Sequence, residues 1–167
     1  MKVAGMLIVL LSTTAIGYLK SVRLVHDVLF WDQFAHFIRY AENSFRYLSM
    51  TNREMICSYN RTQSAFEPIR LCGQYLQNGT DFPNAWKIAV NDCAARNTLP
   101  GGAADLLKSF GDGLGTTDLT GQLNHCALYR AFCDENRTTA ITEKNKKARL
   151  YIMLGMLAGF GTDMLLL

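Results

Sequence analysis

Proline and charge are both scarce in this sequence: three prolines in 167 residues, and 19% Asp, Glu, Lys and Arg. So few prolines exclude a proline-rich linker or a fibrous chain, and a hydrophobic fraction of 49% excludes general disorder. A net charge of +3 is too small and too dispersed for a nucleic-acid binder. No segment alternates with period two, so no sheet is expected. Catalytic signatures are missing as well. His26, His36 and His125 lie far apart with no H-E-x-x-H, and the five cysteines include no C-x-x-C pair. Cys126 and Cys133 share a helical face, but a zinc site there would need ligands from other helices. There is no G-x-S-x-G elbow, and no paired carboxylates share a face. The glycine run Gly111 to Gly115 has neither the preceding strand nor the Lys-Ser/Thr of a phosphate loop, so it reads as a tight turn. The expectation is a non-enzymatic chain with no catalytic residue, no cofactor and no metal.

Apolar residues, by contrast, are abundant and concentrated at the two ends. Val3 to Leu19 is 17 residues without a charge, about 26 Å as a helix, the short limit of a membrane span. Leu150 to Leu167 is apolar except for Asp163, and its Gly155 and Gly159 form a G-x-x-x-G pattern suited to close helix packing. Lys20, Arg23, Lys144, Lys146, Lys147 and Arg149 flank these segments on the inner side, against Lys2 alone outside. Six against one predicts a cytoplasmic middle by the positive-inside rule. An odd number of cysteines agrees with a reducing compartment. The predicted organisation is an N-terminal transmembrane helix over 1–19, a helical-bundle domain over 20–149 and a C-terminal membrane segment over 150–167.

A second arrangement competes with this one. Lys2, the apolar run, and the small residues Ala15 and Gly17 also fit a secretory signal cleaved before Tyr18. The chain would then be an exported cell-surface helical protein with two disulfides, one free cysteine and a hydrophobic tail anchor. The triplets at Asn60, Asn78 and Asn136 match the glycosylation pattern that such a protein would use.

The middle reads as helices. Trp31, Phe34, Ile38, Ala41, Phe45, Leu48 and Met55 alternate spacings of three and four with one beat missed at Asn52, which predicts one long amphipathic helix continuing from the first apolar segment. A second helix is expected after a Thr62 cap, ending at Gly79, and a third after Asp81-Phe82-Pro83. A fourth covers Ala103 to Phe110 and is stopped by Gly111, Gly113 and Gly115. Thr116 or Thr117 caps the last long helix, with Asp118 in its first turn and a stripe of Leu119, Leu123, Cys126, Tyr129 and Cys133.

Four segments carry a resemblance: L-I-V-L-L-S-T-T-A-I-G near the start, F-P-N-A-W-K-I-A-V, L-G-T-T-D-L-T-G-Q at Leu114 to Gln122, and the ending A-R-L-Y-I-M-L-G-M-L-A-G. Along the whole chain the sequence resembles the stage III sporulation protein AB family. The most specific part is similar to the family's LG-[ST]-[ST]-D-x-x-x-Q motif, here Leu114, Gly115, Thr116, Thr117, Asp118 and Gln122. The resemblance implies an all-α antiparallel bundle like the cytoplasmic domains of the type II secretion F platform protein, held between two membrane helices. It further implies a component of the channel linking mother cell and forespore. There the domain would face the mother-cell cytoplasm as an adaptor for a stage III sporulation protein AA-like ATPase, together with other proteins of the channel complex. Self-association is left open, and no nucleic acid is involved. Within the motif, Asp118 and Gln122 are one turn apart and are expected on one face, with Gly111 to Gly115 allowing close approach by a neighbouring helix or chain.

Overall fold

The computed structural model describes the backbone of residues 2–62 and 66–166, and the side chains of residues 23–62, 66–147 and 150. Among the described residues the chain is all-helical: α1 (Lys2–Asn43), a π-helical turn (Ser44–Leu48), α2 (Asn52–Thr62), α3 (Glu67–Gln77), α4 (Phe82–Ala95), α5 (Ala103–Gly113) and α6 (Leu119–Leu166). They fall into two compact units, one of residues 1–28 and 137–167 and the other of residues 29–136.

The expected long first helix forms, but it ends earlier than the apolar stripe suggests. After Asn43 the backbone widens into the π turn, and Ser49 adopts the left-handed conformation at φ 48°. Phe45 is only half-buried and Leu48 is 59% exposed, while Met55 is buried in a different helix. The missed beat at Asn52 marks a turn, not a gap in one rod. α2 starts there on a reciprocal cap: Thr51 N–H donates to the Glu54 carboxylate at 2.9 Å, and Glu54 N–H donates to Thr51 Oγ1 at 3.3 Å. The Thr51 N–H bond, with a second from the Thr51 hydroxyl at 2.8 Å, holds the exposed Glu54 carboxyl below its ordinary range.

Thr62 does not cap the next helix. Its hydroxyl turns back to the carbonyls of Ser58 and Tyr59 in the last turn of α2. α3 instead starts from an extended Phe66 with Pro68 in its first turn, where the missing N–H costs nothing. Gly79 ends the α3 region at φ 91°, as expected. Asp81 caps α4 by accepting from Asn84 N–H. Glu67 at the start of α3 lies 3.5 Å from Arg96 just after α4, so the two helices run antiparallel.

The core of the 29–136 unit is aromatic. Phe34, Phe37, Trp86 and Phe110 are essentially fully buried. Phe110 of α5 meets Phe34 of α1 at 5.4 Å, Trp86 of α4 at 6.0 Å and Tyr129 of α6 at 5.2 Å. Such pairs add roughly 0.5–1.5 kcal/mol each beyond the burial of their area. Four helices thus converge on one ring at the end of α5, next to the segment that carries the family-like motif.

In the described residues no helix is long and apolar enough to cross a membrane. Apart from Leu150, the two expected spans fall outside the residues whose side chains are described, as do Gly155, Gly159 and Asp163; the described backbones of α1 and α6 run on into both segments as helix.

Candidate functional site: the turn between α5 and α6

The glycines expected to stop α5 divide into two kinds. Gly111 and Gly113 lie inside the helix, and only Gly115 breaks the backbone, at φ 79°. Gly111 is buried because α4 crosses there: a Cβ on it would lie 2.7 Å from Cγ of Trp86 and closer still to Cδ1 and Nε1. A Cβ on Gly113 would stand 2.6 Å from His125 Nε2. These two residues admit neighbouring rings, and the helix ends only after both have been passed.

The last carbonyls of α5 have no partners within the helix, and each must find one elsewhere. His125 on α6 lies 2.9 Å from the Phe110 carbonyl through Nε2, which therefore carries the proton, and its ring stacks on Phe110 at 5.3 Å. Leu114 N–H donates to the Gly111 carbonyl at 3.2 Å, and the Thr116 hydroxyl donates to that of Gly113 at 3.0 Å. One turn earlier, Trp86 Nε1–H donates to the Leu107 carbonyl at 2.7 Å. The buried Leu114 directs its own carbonyl to the side-chain amide of Asn52, at 3.1 Å. The start of α2, the end of α5 and the start of α6 are therefore fastened at one place.

Asp118, and neither threonine, caps α6: its Oδ1 accepts from Gly121 N–H at 2.8 Å. Gln122 does not join it on a solvent face. Asp118 is exposed, whereas Gln122 is 5% exposed and its amide donates to the Thr117 carbonyl at 3.4 Å, leaving its buried Oε1 without a partner. The expected common face is corrected accordingly, because the cap bond holds Asp118 over the helix end while Gln122 points into the core. What the turn offers to solvent is the run of residues 115–120, all exposed, with one carboxylate and a half-exposed Leu119. Asn52, Trp86 and His125, which build the site from outside the motif, have no sequence signal beyond the small residues they pack against.

The remaining reactive groups are dispersed. All five cysteines are unpaired thiols, and four are buried. Burial pushes Cys72, Cys126 and Cys133 up to about 12 and Cys93 up to about 11. No two of the five thiols are joined in this structure. Among the described residues no group of three His, Cys, Asp or Glu side chains could hold a metal ion. Of the glycosylation triplets, Asn60 is engaged internally: its amide donates to the Ile69 carbonyl at 3.0 Å, beside Gly73, where a Cβ would meet Asn60 Cγ at 3.2 Å.

Neither curated proteins nor solved structures provide a match to this chain. The family model described as stage III sporulation protein AB, however, matches residues 2–167, including the turn described above. The chain belongs to the stage III sporulation protein AB family and has a role at stage III of sporulation.

Proposed function

We propose that this protein is a non-enzymatic membrane platform of the channel between mother cell and forespore, in which the 29–136 unit faces the mother-cell cytoplasm and receives a stage III sporulation protein AA-like ATPase. One observation carries the reading. α1 and α6 are uninterrupted helices whose outer parts are the two apolar segments, and in sequence the basic residues fall on the inner side of both. The G-x-x-x-G spacing of Gly155 and Gly159 suits packing against a second membrane helix or a second copy. The burial of four thiols and the internal use of Asn60 support the reducing side of the membrane over the exported arrangement.

The exposed turn of residues 115–120 is the proposed ATPase contact, with Asp118 as its charged residue. Detergent-solubilised full-length protein is used to capture the AA-like ATPase and the other proteins of the channel complex. Asn caps a helix about as well as Asp, so Asp118→Asn keeps the fold and removes only the charge. Loss of capture in that variant supports the contact; a variant that folds normally and captures the ATPase undiminished removes Asp118 from it. Failure of the wild-type chain to capture the ATPase removes the adaptor role.

A further inference from the structure

The net charge of the chain has a definite location. From Lys20 to Asp27 and from Glu143 to Arg149 there are six Lys or Arg and two carboxylates, a balance of +4. The other eleven cations and twelve acids come to −1, which completes the total of +3. The charge that looks dispersed by composition alone is a band at the inner edges of the two apolar segments.

Within this band the order of signs is the same on both helices. On α1, Lys20 and Arg23 come next to the apolar run and Asp27 lies farther away; on α6, Arg149, Lys147, Lys146 and Lys144 come next to it and Glu143 lies farther away. Both stretches belong to the same compact unit. Burial raises the Asp27 carboxyl, and the charges acting on it come from both stretches: His26 and Arg23 on its own helix and Lys147 on α6 lower it, and Glu143 on α6 raises it. Glu143 holds Lys147 at 2.7 Å, while Lys146 is exposed and Lys144 half-buried. Lys146 and Lys147 stand within about 6 Å along the helix axis of the first apolar residue, Leu150.

We propose that this band binds the headgroups of anionic phospholipids, with Lys144 and Lys146 as its principal contacts. The inference rests on the membrane reading above, which puts the cations at the depth of the lipid phosphates. The complementarity is one of sign and position: cations lie nearest the apolar run, and the acids are set back where a negative surface would repel them least. An acidic protein segment would match the charge but not the alignment of both cationic clusters with the ends of the apolar runs.

The full-length chain is reconstituted into phosphatidylcholine vesicles carrying trace spin-labelled phosphatidylglycerol or phosphatidylcholine, and flotation is checked first. The expected result is a preference for the anionic lipid that is abolished by high salt, reduced by roughly fivefold or more in Lys144→Gln/Lys146→Gln, and retained in Arg53→Gln/Arg61→Gln. A chain that does not float with the vesicles overturns the membrane reading and this inference with it. A chain that floats but selects no lipid, keeps its preference at high salt, or loses it equally in the Arg53/Arg61 control overturns this inference alone. Salt dependence is measured on the unmodified chain, so the test holds even if a variant fails to fold.

Discussion

Replacing Gly111 by alanine tests the packing on which the α5–α6 turn depends. The new Cβ would overlap the Trp86 indole, a side chain 1% exposed, packed against Phe37 at 6.2 Å and Phe110 at 6.0 Å, and hydrogen-bonded to the Leu107 carbonyl. Because the indole is hemmed in on both sides, it can yield only by leaving its hydrogen bond. Overpacking a dense core costs about 1–3 kcal/mol. A stranded buried indole N–H adds about 1–3 kcal/mol. Against these stands the gain in helix propensity of alanine over glycine, at most about 1 kcal/mol. The expected net loss is about 1–5 kcal/mol. At about 4 °C per kcal/mol for a unit of this size, the melting temperature drops by about 4–20 °C. Thermal unfolding of full-length protein in detergent, followed by the fluorescence of Trp31 and Trp86, measures it. Gly101→Ala, where no atom lies within 4 Å of the new Cβ, is the control. A Gly111→Ala protein that melts with the control refutes the reasoning. In a double-mutant cycle with Trp86→Phe, the two losses are expected to sum to more than the loss in the double variant, since the smaller ring relieves the overlap.

Other consequences follow from the same geometry. Gly115→Ala is expected to cost about 1–2 kcal/mol, because it forces a Cβ onto a φ of 79° and sets it 2.8 Å from the Asn52 amide; equilibrium denaturation in urea checks this. Asp118→Ala is expected to cost about 1 kcal/mol through the lost cap and Asp118→Asn almost nothing, measured in the same way. Four buried thiols held neutral are expected to resist a thiol reagent at pH 8 in the folded protein and to react on denaturation, with the half-buried Cys57 reacting first; rapid titration of all five would contradict this. Alkaline stability has a definite sign. Folded Cys72, Cys126 and Cys133 keep their protons to about 12 and Tyr59 to about 12, whereas the unfolded thiols ionise near 9.0 and the unfolded phenol near 10.0. Their stabilising contribution is complete below pH 9 and is lost as pH rises from there to about 12, so denaturation midpoints are expected to fall over that window and not before it.

Helix content and the order of the elements were legible because stripes, caps and prolines are local signals. Asp81 caps α4 where expected, and Gly79 takes its left-handed turn. The break at Ser49 to Thr51 was hidden because no proline or glycine marks it and Met55 happens to continue the stripe; the visible signal was the Thr51-x-x-Glu54 box. Gly111 and Gly113 looked like helix stops because glycine serves both to end a helix and to admit a neighbour, and only the positions of Trp86 and His125 distinguish the two. The motif residues were found, but their roles depend on distant partners. Asn52 clamps Leu114 across 62 residues of sequence, and Gln122 is buried by packing that its spacing from Asp118 does not reveal.

The side of the membrane on which the helical unit lies decides between the platform and the exported protein, and a reporter inserted at Asn97 tests that most directly. Asn97 is exposed in the turn after α4, with its φ at 57°, a place where an insertion is tolerated. The membrane-platform account predicts that a reporter active only in the cytoplasm works there while one active only after export is silent, with the N-terminal segment retained. Activity of the exported reporter, or a mature protein beginning at Tyr18, would contradict it.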